Sequence, residues 1–186
     1  MPKRPPQPPA DSIADPAPAA KAAASATADL GWLAETLVAQ WLTQQGGQIL
    51  QQRWRCRWGE LDLVAQLPDS PGAAAMLVFV EVKARRNAGW DAGGLLSITP
   101  QKQAKLWQAA ALFLAEFPAL ADLTCRFDVA LVSGRSRPIS PSRPTELSTA
   151  GLPSAAVIQI GQPVAIADHS LTLQHYIPAA FGDLST

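Results

Sequence analysis

Apolar positions along this chain change their period several times, and each change marks an element. Leu30, Leu33, Leu37 and Trp41 recur at three- and four-residue steps, the buried stripe of an amphipathic helix. Asp29 can cap such a helix and Gly46-Gly47 can end it, which predicts a helix from about Asp29 to Gln45. From Gln48 to Arg57 the period falls to two. Arg53, Arg55 and Arg57 alternate with Trp54, Cys56 and Trp58, as in a strand with one basic and one apolar face. Two more strands lie between Trp58 and Arg86, around a loop from Pro68 to Ala75. Thr99-Pro100 opens a second helix, with Leu106, Ala110, Phe113 and Phe117 as its core stripe and Pro118 as its stop. Thr124 to Ser133 reads as a fourth strand, and Ala155 to Ile160 and Leu171 to Tyr176 as two shorter ones. This order predicts an α/β domain with a central mixed sheet flanked by helices. The first three strands form a meander, and the second helix crosses over to the fourth.

The unpatterned stretches set the domain limits. Residues 1–28 are Pro- and Ala-rich with scattered charges; they bury too little apolar surface to offset their ordering entropy and are expected to be a disordered tail. The domain is expected over 29–186, with a flexible Ser- and Pro-rich insertion at about 134–153. The Gly-rich stretch after Arg86 carries Trp90, and reads either as a loop gripping substrate or as a plain loop with one packed tryptophan. The whole chain, 186 residues, is enough for one domain with a proper core. No apolar run approaches the roughly 20 residues needed to span a bilayer, and the N-terminus lacks an apolar signal core. Cys56 and Cys125 have no metal or redox spacing, so both are expected as reduced residues of a cytoplasmic protein with no membrane partner.

Charges inside the apolar runs supply the candidate chemistry. Glu60 and Asp62 share one strand, and Glu81 and Lys83 the next; alternation places each pair on one face. Strand-end salt bridges would explain them. So would a hard oxygen site, because two carboxylates held close repel each other and favour a divalent cation, with Lys83 beside it. That arrangement suits phosphodiester cleavage. Glu35 flanks the first helix's apolar stripe, and periodicity alone reads it as a solvent-facing glutamate. Lys102 lies one turn before Leu106 on the same side and should reach toward the sheet, whereas Lys105 reads as a surface charge. Asp128 is expected to pair with Arg126 in a structural role. His169 and His175 lack metal-site spacing. Lys plus Arg and Asp plus Glu number 15 each, so net charge is zero and would not draw the chain onto a polyanion. Locally, Arg53, Arg55, Arg57, Lys83, Arg85, Arg86, Lys102 and Lys105 fall near the proposed site and give a basic footprint that fits phosphate contacts or a solvated face.

The motifs G-W-L-A-E at Gly31–Glu35, G-E-L-D-L-V at Gly59–Val64 and F-V-E-V-K-A-R at Phe79–Arg85 occur in order, followed by R-F-D-V at Arg126–Val129 and A-A-F at Ala179–Phe181. Together they resemble the PD-(D/E)XK nuclease superfamily. Within it they are similar to the YraN-type uncharacterised bacterial proteins, which look like Holliday-junction resolvases. The resemblance covers roughly Leu30 to Val132 and the last residues. It implies a restriction-endonuclease-like αβββαβ core, Mg²⁺ or Mn²⁺ held by Asp62, Glu81 and Glu35, and Lys83 as the catalytic lysine. Glu60, Lys102 and Arg85 would support the site, and Arg53, Arg55, Arg57 and Arg86 would contact nucleic acid. The implied activity is metal-dependent cleavage of DNA, with branched DNA as the substrate suggested by analogy and a homodimer as the assembly. The competing expectation is a non-catalytic nucleic-acid-binding accessory protein that keeps the fold.

Overall fold

The computed structural model describes residues 18–68, 75–86, 98–136, 157–166 and 168–182, with backbone alone for 18–29. Residues 1–17 of the expected tail, Trp90 and its loop, and 137–153 of the expected insertion lie outside them. The elements are α1 (Pro18–Gln44), β1 (Gln48–Cys56), β2 (Gly59–Pro68), β3 (Ala75–Arg85), α2 (Pro100–Glu116), a 3-10 turn at Pro118–Leu120, β4 (Thr124–Ser136), β5 (Pro163–Ile166) and β6 (His169–Ile177).

The six strands form one mixed sheet in the order β1-β2-β3-β4-β6-β5. β1, β2 and β3 are an antiparallel meander, and β3 pairs parallel with β4 through the α2 crossover. β6 then runs antiparallel to β4, with β5 on the outer edge. This is the α/β arrangement of a restriction-endonuclease-like core. No helix among the described residues is long and apolar enough to cross a membrane.

Among the described residues, each face of the sheet carries one helix. Leu33, Leu37, Val38 and Leu42 of α1 pack on Leu63, Val78, Val80, Ala130, Val132, Leu171 and Leu173. Leu106, Ala109, Ala110 and Phe113 of α2 pack on Val64, Leu77, Phe79, Phe127 and Val129. α1 ends where expected: Gly46 takes a left-handed φ of 83°, while the amides of Gly47 and Gly46 return to the carbonyls of Leu42 and Thr43. Those bonds satisfy carbonyls that the helix end would otherwise orphan. α2 opens as expected, with Thr99 Oγ1 accepting from the Lys102 amide and proline in its first turn.

Three boundaries differ from expectation. α1 begins at Pro18, so Asp29 lies inside the helix rather than capping it; alanine's high helix propensity carries the helix back through the Ala-rich stretch. β4 continues to Ser136, past the expected end at Ser133. Gly134 permits this, since a Cβ there would meet Leu30 Cδ1 at 2.3 Å and Leu171 Cδ2 at 2.7 Å. The strand expected at Ala155–Ile160 is displaced: residues 157–160 are not strand, and the edge strand starts at Pro163. Proline has no amide to donate, which suits an edge.

Candidate active site

The site forms where β2 and β3 part. Their pairing runs from Pro68↔Ala75 to Leu63↔Val80. At the next position the Val82 amide donates to Asp62 Oδ2 at 2.8 Å, so a carboxylate takes a strand-edge donor. β2 also changes face here. Leu61 packs under α2, whereas Leu63 packs under α1. The facing residue on β1 explains the switch: Arg53 has φ 53°, and the β1–β2 pairing passes from Gln52↔Leu63 to Trp54↔Leu61 around it. Simple alternation through Glu60 and Asp62 is therefore broken, and the expectation that both acids share a face is corrected.

Glu60 joins the arginines instead of the site. Arg53 Nε reaches Glu60 Oε1 at 2.7 Å and Arg55 Nε reaches Oε2 at 2.6 Å. Partial burial disfavours the ionised form, but these bonds and charges hold Glu60 below the usual carboxylate range. Two of the arginines expected to face phosphate thus carry an internal counter-ion, a pairing set by strand register. Arg57 lies over the Trp58 ring, 5.4 Å from its centroid, and Arg86 is exposed.

Glu81 and Lys83 face the α2 side. Lys83 Nζ donates to Glu81 Oε1 at 2.7 Å, and Lys102 Nζ, from the first turn of α2, lies 3.2 Å from the same oxygen. Lys102 therefore reaches toward the sheet as its spacing predicts, and Lys105 is exposed. Glu81 is 4 % exposed, yet its Oε2 has no hydrogen-bond partner. Glu35 enters from α1, 8 % exposed. Its Oε2 also lacks a hydrogen bond, although Arg53 Nε stands 3.4 Å away. Leaving a buried oxygen unsatisfied costs about 1–3 kcal/mol, so each is a place where an added ligand would be stabilising.

The acids feel one another. Burial, then the Glu81 charge, raises Asp62 to about 7, and the Val82 amide only partly offsets them. Burial also raises Glu35, against the lowering pull of Arg53 and with smaller upward pushes from Glu60 and Glu81. Among the described residues, no three His, Cys, Asp or Glu groups are gathered at metal-ligand spacing. The donor set fits a hard divalent cation as a carboxylate pair, Asp62 and Glu81, with water and phosphate completing the shell as Mg²⁺ sites commonly arrange. Glu35 stands behind the pair, engaged by Arg53.

The remaining motifs meet elsewhere. Asp128 is fully buried and accepts from Arg126 Nε and Nη2, the Tyr176 hydroxyl and the Ala179 amide at 2.7 to 2.9 Å. Phe181 stacks on Phe127 with centroids 4.9 Å apart. R-F-D-V and A-A-F are thus two halves of one structural clasp, as expected of Asp128. Neither Cys56 nor Cys125 is in a disulfide, and Cys125 Sγ donates to the Leu123 carbonyl at 3.3 Å. His169 bonds its neighbour Asp168, and His175 is exposed on β6. Sequence reasoning missed Tyr176, whose hydroxyl closes the clasp.

Comparison with known proteins gives a family without an activity. The family model described as "Uncharacterised protein family UPF0102" matches residues 34–132. A UPF0102 protein of Acaryochloris marina is 46 % identical over 82 % of this chain and 89 % of its own length. One from Synechocystis is 45 % identical over 83 % of this chain and 98 % of its own length. One from Trichodesmium erythraeum is 45 % identical over 82 % and 88 %.

Proposed function

This chain belongs to the uncharacterised protein family UPF0102, whose name assigns no reaction, and from the site itself we propose a metal-dependent endonuclease that hydrolyses phosphodiester bonds in DNA. One observation carries the reading: at the split between β2 and β3, Asp62 feels the charge of the buried Glu81, and Lys83 bonds Glu81. Both Lys83 and Lys102 lie against Glu81 Oε1, so the buried Oε2, which has no hydrogen-bond partner, is a position that an added cation would satisfy.

Asp62 and Glu81 would hold Mg²⁺ or Mn²⁺. When bound, such an ion polarises a phosphate and makes a water more acidic. Asp62 is oriented by the Val82 amide, which fixes its carboxylate before any ligand arrives. Lys83 is 28 % exposed at its side chain, so its ammonium can turn from Glu81 toward a phosphoryl oxygen and offset charge developing there. Lys102 adds a second cation from the first turn of α2. Glu35 supplies a further buried negative charge on the α1 side, and Arg85 follows Lys83 on the same face of β3. Branched DNA as the substrate, and a homodimer to cut two strands symmetrically, extend the reading by analogy with resolvases.

The test is cleavage of labelled single-stranded DNA, duplex, four-way junction and RNA with Mg²⁺, Mn²⁺ or EDTA. Wild type should cut DNA only with metal, and Lys83→Ala and Glu81→Gln should each lose at least about 100-fold in rate. Binding without cleavage under every condition would instead make the protein a non-catalytic nucleic-acid-binding accessory. Absence of both binding and cleavage would remove the reading.

A further inference from the structure

α2 covers only part of its face of the sheet. Its apolar stripe packs on Leu77 and Phe79 of β3 and on Cys125, Phe127, Val129 and Leu131 of β4. Beyond Leu131 that face turns polar. Ser133, Arg135, Pro163, Ser170, Thr172 and Gln174 line a hollow of about 340 Å³ across β4, β6 and β5.

The register places this hollow beside the candidate active site. Lys83 lies opposite Leu131 and Arg85 opposite Ser133; Ser133 lies opposite Thr172, and Thr172 opposite Pro163. A single row therefore crosses four strands on the face that holds Glu81 and Lys83. With strands about 4.8 Å apart, it extends roughly 14 Å from Arg85, enough for a short run of backbone phosphates.

The lining chemistry is selective. Three hydroxyls, one amide and the exposed guanidinium of Arg135 line the hollow, and among the described residues no carboxylate does. Gln174 Nε2 donates to Ser133 Oγ at 2.8 Å, so the Ser133 hydroxyl keeps its own proton for an outside acceptor. Donors with one positive charge and no large apolar anchor suit an anionic, polar chain. A peptide would need an apolar pocket or a free strand edge, and this is the face of a sheet.

We propose that this trough, lined by Ser133, Arg135, Ser170, Thr172 and Gln174, binds the phosphodiester backbone of the substrate strand on one side of the phosphate presented to Lys83. The inference rests on the nuclease reading and deepens it, because it gives the strand a direction: away from Lys83, across β4 and β6, to the β5 edge.

The experiment is fluorescence polarisation with the full-length chain and labelled single-stranded, duplex and four-way-junction DNA. Ca²⁺ replaces Mg²⁺ so that binding is read without turnover, and salt is varied. Arg135→Ala should weaken binding about 5- to 20-fold irrespective of sequence and lower the log–log salt slope by about 0.7 to 0.9, as expected for one lost phosphate contact. Arg135→Lys should restore most of the slope. Thr172→Asp, which places a negative charge mid-row, should weaken binding further while its circular dichroism melt stays within a few degrees of wild type. Wild-type binding with unchanged affinity and slope in Arg135→Ala and Thr172→Asp would overturn the trough and leave the nuclease reading standing. Weaker binding with an unchanged slope would also overturn it. Failure of the wild type to bind any substrate would overturn both.

Discussion

Asp128 and Glu81 are buried acids on neighbouring parallel strands, one register step apart: Val80 faces Asp128 and Glu81 faces Val129. They are treated in opposite ways. Asp128 is enclosed by a bidentate arginine, a tyrosine hydroxyl and a backbone amide, while Glu81 gives one oxygen to two lysines and leaves the other bare. A carboxylate fully answered by its own chain holds the fold and has nothing left to offer. One answered by half retains a ligand position at a cost in stability, and that cost is the mark of a site.

The largest test of the contrast removes each acid in turn. Asp128→Ala leaves Arg126, Tyr176 and the Ala179 amide without their acceptor and should cost about 3–5 kcal/mol in urea denaturation. Glu81→Gln removes a half-satisfied buried charge and should change metal-free stability by less than about 1 kcal/mol in either direction. Equal costs would mean that Glu81 is as structural as Asp128.

Asp62 sharpens the contrast through pH. Held at about 7 against an ordinary 3.8, it binds a proton more tightly in the folded protein than in the unfolded one. Its favourable contribution is whole below about pH 4 and is lost as pH rises to about 7, after which the loss is constant. Asp62→Asn keeps an acceptor for Val82 and does not titrate. In metal-free buffer it should gain on wild type from pH 4 to 7, by about 2–4 kcal/mol at pH 8, or some 2–4 °C in melting temperature per kcal/mol. Mg²⁺ should narrow the gap by stabilising only the wild type. Parallel melting curves across that range would show that Asp62 is not under electrostatic strain.

Most of this architecture was legible because it depends on period. The stripe of Leu33 and Leu37, the cap at Thr99 and the runs around Val64, Phe79 and Val129 repeat at intervals that belong to one element type. The placement of Lys102 was legible for the same reason, since one helical turn before Leu106 fixes its side. What escaped depends on contacts between distant elements or on single backbone angles. Tyr176 meets Asp128 across 48 residues, and nothing local marks it. Glu60 looked like a fourth site acid because alternation was assumed through Asp62, and only the left-handed backbone at Arg53 breaks that alternation. Pro163–Ile166 is too short to show a period. The Ala-rich segment before Asp29 offers too little apolar surface to predict an element, although its alanines favour helix and Pro18 sits where proline is tolerated, at the helix start.

Arg53 is where the two kinds of carboxylate come closest to merging, and it gives the smallest and most discriminating test. Its guanidinium bonds Glu60 and lies against Glu35, so it serves as an internal cation on the α1 side of the acids. Its φ of 53° is strained for any residue with a Cβ, by roughly 1–2 kcal/mol. Arg53→Gly removes the charge and relieves the strain together, so lost ion pairing and gained backbone freedom should leave metal-free stability within about 1 kcal/mol of wild type. With its cation gone, the Glu35 charge should add to the field drawing a divalent ion toward Asp62 and Glu81. Mn²⁺ affinity, measured by electron paramagnetic resonance or calorimetry, should rise about 3- to 10-fold, up to about 1.4 kcal/mol. A fall in affinity would reverse the assignment: Arg53 would then be holding Glu35 in place for the ion, and the arginine cluster would belong to the site rather than compete with it.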